Sequence, residues 1–181
     1  MRAPPNTVER RHEIALALAT DAQAPRRVVC VDYRGRGLSD YDSDWKRYDI
    51  RVELDDILQQ MAALGLAHAV FIGTSRGGLI TMALAAVRSK VIAGAIINDV
   101  GPEVAKEGLA RIAAYSGQPV ETPTWADAAA YARKINAVAF PHYTDADWDA
   151  FARRIFREGT EGAPVLNYDP DISVPIKAAG A

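Results

Sequence analysis

The stretch AVFIGTSRGGLITMALA, residues 69–85, decides the fold of this chain. Its first residues are apolar and partly β-branched, and they predict a short buried strand over 69–73. The residues that follow are apolar on nearly all sides and predict a helix over 77–89. The two elements are joined by a glycine-rich turn, GTSRG, residues 73–77, so the chemistry of this turn is the first question that the sequence raises.

The turn matches the pattern G-x-S-x-G, in which a serine between a strand and a helix acts as a nucleophile. Such a serine has a strained backbone conformation, and it needs small neighbours, here Gly73, Gly77 and Gly78, to avoid collisions. The N–H of Arg76 would then point to where an oxyanion forms. The pattern therefore predicts Ser75 as a nucleophile. The alternative is an ordinary turn in a doubly wound fold, with Ser75 capping the helix.

Further strands and helices alternate on both sides of this turn. The predicted elements are a helix opened by a capping box at Asn6 and Glu9, a strand over 26–32, an amphipathic helix over 50–64 and a strand over 91–99. Apolar strands that alternate with helices are typical of a parallel sheet covered on both faces. We therefore expect three or four parallel strands with flanking helices. The single cysteine, Cys30, would be a small buried residue of the first strand.

The pattern of predicted elements changes after residue 102. Three helical segments, over 103–116, 124–137 and 144–157, follow with no strand between them and predict a helical cap. The predicted organisation is a core over 1–102, a cap over 103–160 and an irregular tail over 161–181. Four aromatic residues of the cap helices either line a substrate pocket or form the packing face of the cap: Trp125, Tyr131, Trp148 and Phe151.

A second motif makes a family resemblance specific. The loop after the first predicted strand, VDYRGRGLSD, reads D-x-R-G-x-G-x-S, from Asp32 to Ser39. Together with the stretch over 69–85 and IINDVGPE over 96–103, it resembles the α/β-hydrolase superfamily. The likeness is greatest to serine hydrolases related to esterases, C–C hydrolases and proline iminopeptidases. It covers roughly residues 7–168 and implies a partial α/β-hydrolase fold with a helical cap.

The resemblance also implies a catalytic triad in the chain order Ser, Asp or Glu, then His. Asp99, at the carboxyl end of the strand after the nucleophile, is the candidate acid, and its alternative is a turn carboxylate that binds backbone N–H groups. The three histidines fit the base poorly. His12 precedes the serine, His68 begins the nucleophile's strand, and His142 lies in a loop between cap helices.

The sequence departs from the family's pattern at both ends. An earlier strand with an H-G loop and the last two strands, which bring the usual acid and histidine, are expected to be missing. The function predicted from the resemblance is hydrolysis of an ester or a related acyl or C–C bond through Ser75. One alternative is a truncated, non-catalytic relative that could bury exposed sheet edges against a second copy. Another is a small-ligand domain with Ser75 at a helix N-terminus.

Composition excludes several other classes. The chain has 181 residues, 49% of them hydrophobic, and a formal charge of −2, which predicts neither a nucleic-acid nor a membrane partner. No secretory signal is recognisable, so the expected location is the cytoplasm. Neither a dinucleotide fingerprint nor a Walker loop occurs, and the acidic stretch over 39–49 lacks metal-ligand spacing, so we expect no cofactor and no metal. Arg76 either favours an anionic small-molecule substrate or pairs with a nearby acid.

Overall fold

The computed structural model describes residues 9–180, with side chains for residues 14–175 and Lys177. Its helices are α1 (Glu9–Ala19), α2 (Ile50–Ala63), α3 (Arg76–Arg88), α4 (Lys106–Tyr115), α5 (Trp125–Asn136), α6 (Asp145–Ile155) and α7 (Ser173–Gly180). Its strands are β1 (Ala69–Thr74), β2 (Ile92–Asn98), β3 (Phe156–Glu158) and β4 (Pro164–Leu166). Short 3-10 turns lie at Trp45–Arg47, Ser89–Val91 and Pro170–Ile172.

The described residues form two compact units, each built from two stretches of chain. Unit 1 comprises residues 9–41 and 118–169, and unit 2 comprises residues 42–117 and 170–180. The division into a core, a cap and a tail near residues 102 and 160 stays a prediction. None of the helices in residues 9–180 is long and apolar enough to cross a membrane.

Unit 2 contains the strand–turn–helix element that the sequence predicts. β1 and β2 pair in parallel, with Ile72 opposite Ile96 and Thr74 opposite Asn98. α3 connects the two strands and packs on the sheet, and α2 packs against α3. α2 begins where the carboxylate of Asp49 accepts a hydrogen bond from the N–H of Arg51, an ordinary N-cap. The prediction of a parallel sheet with flanking helices is therefore confirmed.

The expectation that both faces of this sheet are covered is wrong. Side chains alternate between the two faces of a strand, and the face toward α3 is the more buried one. The other face exposes three apolar side chains: Val70 at 62%, Ile72 at 49% and Ile96 at 55%. We call these three side chains the open face. They are exposed because α3 covers only the opposite side of the two strands.

The prediction of a strand over residues 26–32 is also wrong. Residues 26–32 belong to no strand, and the parallel sheet of the described chain has two strands rather than three or four. A strand exists only where a neighbour completes its hydrogen-bond ladder, and the two ladders present join β1 with β2 and β3 with β4. Cys30 lies in this irregular segment and is consequently exposed, contrary to the expectation that it is buried.

Unit 1 is organised around α5 and α6, which pack against each other. Each helix begins with a complete capping box, formed by Thr124 with Asp127 and by Thr144 with Asp147. The fully buried core between them consists of Ala128, Ala132, Trp148, Ala152 and Phe156, with further aromatic side chains packed around it. The aromatic residues of the predicted cap therefore form a packing face.

The three helices predicted after residue 102 are confirmed, but the tail is not irregular. β4 pairs with β3 in an antiparallel hairpin, and α7 packs against α4. α7 tolerates Pro175 because this residue lies in the first helical turn, where backbone N–H groups have no intrahelical acceptor. In α1, Glu9 is the first helical residue, whereas the predicted cap Asn6 lies outside the described residues.

Candidate functional site

Ser75 occupies a sharp turn between β1 and α3. Its backbone angles are φ 51° and ψ −116°, a conformation that costs a non-glycine residue about 1–3 kcal/mol. Its N–H donates to the carbonyl of Asn98 at 2.9 Å, and its carbonyl accepts from the N–H of Gly78 at 2.8 Å. The side chain makes no capping hydrogen bond and is exposed. The alternative role of Ser75 as a side-chain cap is therefore not what the structure shows.

The glycines around Ser75 permit this close turn. A Cβ atom built on Gly73 would lie 2.5 Å from the carbonyl oxygen of Gly77. A Cβ atom on Gly78 would overlap the side chain of Val100 and lie 3.1 Å from Cγ2 of Ile97. Larger residues would thus push α3 away from the sheet, as the sequence pattern predicts.

Asp99 lies beside Ser75 at the carboxyl edge of the sheet. Because Thr74 and Asn98 are register partners, the residues that follow them leave neighbouring strand ends, about 5 Å apart in the sheet. Asp99 also has a positive φ, 59°. Ser75 and Asp99 are the two non-glycine residues with positive φ in the described chain. The two roles predicted for Asp99, triad acid and turn carboxylate, both stay predictions.

Arg76 contributes a backbone donor and a charged side chain, which serve different purposes. Within the described residues no group accepts a hydrogen bond from its N–H, as is usual at the first helical position. Its side chain pairs with Glu53 of α2, with Nε 2.6 Å from Oε2. Nη2 donates to the carbonyl oxygen of Tyr48 at 3.1 Å. Of the two readings of Arg76, the pairing with an acid is the one observed.

Glu53 is the residue that the sequence analysis missed. It is 2% exposed, although it lies on a helix of ordinary amphipathic pattern. A signal was available, because Glu53 precedes Ile57 by four residues and Met61 by eight, which places it on the apolar stripe. A carboxylate at such a position needs a buried partner of opposite charge. The partner, Arg76, lies 23 positions away and is not identifiable from the spacing.

Two arginines lower the pKa of Asp49, the N-cap residue of α2. Hydrogen bonds from the side chain and the backbone of Arg51 hold the pKa of Asp49 below its usual value, and the nearby charge of Arg76 contributes in the same direction. Asp49 therefore stays ionised at the N-terminus of the helix that carries Glu53. A negative charge is favourable at this position of a helix.

The histidines are distributed as the sequence suggests. His68 directly precedes β1, so the six residues of that strand, about 20 Å, separate it from the edge that carries Ser75. His12 lies in α1 and His142 between α5 and α6, both in unit 1. No histidine of unit 2 thus lies at this edge of its sheet. The described residues also contain no cluster of three His, Cys, Asp or Glu side chains that could hold a metal ion.

Hydrogen bonds within the loop over 32–39, which belongs to unit 1, hold the loop in a tight turn. The Asp32 carboxylate accepts from the N–H of Leu38 at 3.2 Å, and the Ser39 hydroxyl donates to the Asp32 carbonyl at 2.7 Å. Gly37 has φ 59°, and a Cβ atom there would overlap the Asp32 carboxylate. The D-x-R-G-x-G-x-S residues therefore close a tight turn on themselves.

Comparisons with known proteins agree with this geometry. A model of the alpha/beta hydrolase family matches residues 11–177. A 3-hydroxybutyrate-oligomer hydrolase of Cupriavidus necator is 36% identical over 154 residues, which span 83% of this chain and 52% of that protein.

Solved structures show the same likeness. An alpha/beta hydrolase from Novosphingobium aromaticivorans has a TM-score of 0.84 at 39% identity, covering 92% of this chain and 57% of that one. E-2-(acetamidomethylene)succinate hydrolase has a TM-score of 0.74 at 20% identity, covering 97% and 61%, and shows the fold alone. The chain thus spans little more than half the length of these proteins.

Proposed function

Because the chain belongs to the alpha/beta hydrolase family, we propose that it hydrolyses an ester, or a related acyl or C–C bond, with Ser75 as its nucleophile. The observation that carries the proposal is the conformation of Ser75. A serine held at positive φ, uncapped and exposed, between a strand and a helix, has the geometry that a nucleophile needs. The side chain forms no capping hydrogen bond to α3 that would offset this strain.

The roles of the neighbouring residues follow from their positions. Ser75 Oγ attacks the carbonyl carbon of the substrate and gives its proton to a general base. The N–H of Arg76 donates to the oxyanion that forms. Asp99 is the acid that would orient a histidine base. The proposal assigns no residue of the chain to that base.

The relative from Cupriavidus necator supports a substrate class. Its name describes a hydrolase of 3-hydroxybutyrate oligomers, in which hydroxy acids are joined by ester bonds. We take short hydroxyacid oligoesters as the small-molecule substrates to test first. Arg76 is no argument for an anionic group near the scissile bond, because Glu53 already neutralises its charge.

A second candidate is a hydrolase-like protein without catalytic activity, which associates through its sheet. The open face favours it, because exposed apolar side chains on adjacent strands are a surface that association would bury. The edge that carries Ser75 also has no histidine from unit 2. The two candidates differ in whether Ser75 is activated.

Labelling with a fluorophosphonate, followed by mass spectrometry, separates them. We expect one adduct at Ser75 in the wild type and none in Ser75→Ala. Ser89→Ala, which removes an exposed serine of the 3-10 turn after α3, is the matched control and should label normally. A folded wild type that forms no adduct would overturn the nucleophile. If it labels, hydrolysis of 3-hydroxybutyrate dimers and trimers is compared with that of p-nitrophenyl butyrate.

A further inference from the structure

The side chain of Arg76 connects the turn that carries Ser75 to α2. One end of Arg76 is the first residue of α3, directly after Ser75. The other end is a guanidinium that pairs with Glu53 through Nε at 2.6 Å and binds the Tyr48 carbonyl through Nη2 at 3.1 Å. Two donors on one planar group fix its orientation as well as its position.

The partners of this guanidinium are themselves held rigidly. Glu53 is 2% exposed and Tyr48 1%, and the Tyr48 hydroxyl accepts from the N–H of Asp42 at 2.8 Å. The N–H of Glu53 donates to the carbonyl of Asp49 in the first turn of α2. The anchor for Arg76 is therefore part of the packed interior of unit 2, whereas Ser75 itself is exposed.

A buried ion pair is a doubtful source of stability, because desolvation of both charges offsets their attraction. It does fix geometry, since Glu53, which is 2% exposed, cannot lose Arg76 without leaving a buried carboxylate unpaired, whereas the Arg76 side chain is 23% exposed. The group that most needs fixed geometry here is the backbone at Ser75 and Arg76. Its strained φ is maintained only if the surrounding structure holds it.

We propose that Glu53 is a positioning residue for the nucleophile turn. Through Arg76 it holds the first turn of α3 against α2, and it thereby keeps Ser75 Oγ and the N–H of Arg76 aligned for attack and oxyanion binding. The inference rests on the proposed function, in which Ser75 is the nucleophile. Glu53 touches neither substrate nor reacting atoms, and Arg76 serves the reaction through its backbone rather than its charge.

The test is the rate at which a fluorophosphonate modifies Ser75 in Glu53→Gln, which keeps the shape of the side chain and removes its charge. We expect a second-order rate constant about tenfold to a hundredfold lower than in the wild type, the scale of a misplaced oxyanion donor. With p-nitrophenyl butyrate, kcat should fall while KM stays unchanged. A purely structural pair would lower the unfolding midpoint and leave both rates of the folded protein as they were.

Asp55→Asn is the matched control. Asp55 lies on the same helix, and its carboxylate accepts a hydrogen bond from the side chain of Gln59 at 2.6 Å, but on the exposed surface. This variant should label at the wild-type rate. Should Glu53→Gln fail to fold, the double variant Glu53→Leu with Arg76→Met replaces the pair by apolar side chains of similar size. It should fold and still label slowly.

The outcomes distinguish the two claims. Wild-type labelling with an equal rate in folded Glu53→Gln, or in the folded double variant, overturns the positioning role and leaves the nucleophile intact. A wild type that does not label at Ser75 overturns the proposed function, and the positioning role with it.

Discussion

The helix pair α5–α6 of unit 1 and the β1–α3–β2 segment of unit 2 are stabilised in opposite ways. The helix pair buries its aromatic and alanine residues between two helices that are adjacent in sequence and carry complete capping boxes. The strand–helix–strand segment leaves the open face exposed, and the two non-glycine residues with positive φ in the described chain lie within it, at Ser75, and directly after it, at Asp99. The helix pair has capped helix starts and packed apolar side chains, whereas the strand–helix–strand segment has a strained backbone at its turns and exposed apolar side chains on its sheet.

This difference indicates which of the two regions could hold a reactive side chain. In the helix pair, the side-chain oxygens of Thr124 and Thr144 accept hydrogen bonds from N–H groups of the first helical turns. At the turn of Ser75 the side chain makes no capping hydrogen bond and is exposed. Glycines leave room for the strained backbone, and in our proposal the pair of Glu53 and Arg76 holds it in place. If Ser75 reacts as proposed, the reactive group lies in a different region from the aromatic core of α5 and α6.

The largest effect should come from opening the core of the helix pair. Trp148 is 3% exposed and packs against Phe140, Tyr143 and Phe151. Trp148→Ala removes that packing and leaves a cavity, so we expect a loss of about 3–5 kcal/mol in the free energy of unfolding. Urea denaturation followed by far-UV circular dichroism measures it.

Trp45→Ala is the control for this variant. Trp45 is 39% exposed at a 3-10 turn of unit 2, and we expect its removal to cost less than about 1 kcal/mol. Equal losses for the two tryptophans would contradict the view that Trp148 belongs to a tightly packed core between α5 and α6.

A smaller loss of stability, accompanied by a loss of labelling, is expected at the turn. Gly73→Ala places a Cβ atom 2.5 Å from the Gly77 carbonyl oxygen, and we expect a cost of about 1–3 kcal/mol. Because the clash displaces the start of α3, fluorophosphonate labelling of Ser75 should fall below a tenth of the wild-type rate.

Gly108→Ala serves as the comparison in the same unit. A Cβ atom there meets nothing closer than 3.9 Å, and alanine is the better helix former, so we expect a gain of about 0.5–1 kcal/mol and normal labelling. Normal labelling in a folded Gly73→Ala would show that the turn has more room than its geometry implies.

The smallest effects concern helix caps, which differ between the two units. Thr144→Ala breaks the capping box of α6 and should cost about 1 kcal/mol. The N-cap residue of α4 in unit 2 is Ala105, which forms no side-chain cap, and Ala105→Asp should add a similar amount there. The midpoints of thermal unfolding measure both changes. A neutral result for Thr144→Ala would mean that packing alone defines the start of α6.

The helices α1 to α6 were predictable because their signals are local, whereas α7 was not predicted. The capping residues of α6, Thr144 and Asp147, are three positions apart, and the apolar period of α2 is visible within 14 residues. β1 and its turn were predictable for the same reason, since glycines, strand and helix are contiguous. In each case one short segment contains the whole physical cause.

What the sequence could not give depends on distant partners. Residues 26–32 have the composition of a strand, yet a strand requires a neighbour in the right place. Glu53 and Arg76 are 23 residues apart, and only the fold brings them to 2.6 Å. The positive φ of Asp99 was likewise not predicted, although aspartate adopts this conformation more readily than most residues.

The exposed Cys30, together with Ser75, offers two sites that could be labelled separately by dyes of different chemistry. It is the single cysteine, so a maleimide dye would attach at one defined place in unit 1. A fluorophosphonate dye would attach to Ser75 in unit 2, if that serine reacts as proposed. Energy transfer between the two dyes would then report the separation of the units in solution, in the native chain and without any engineered residue.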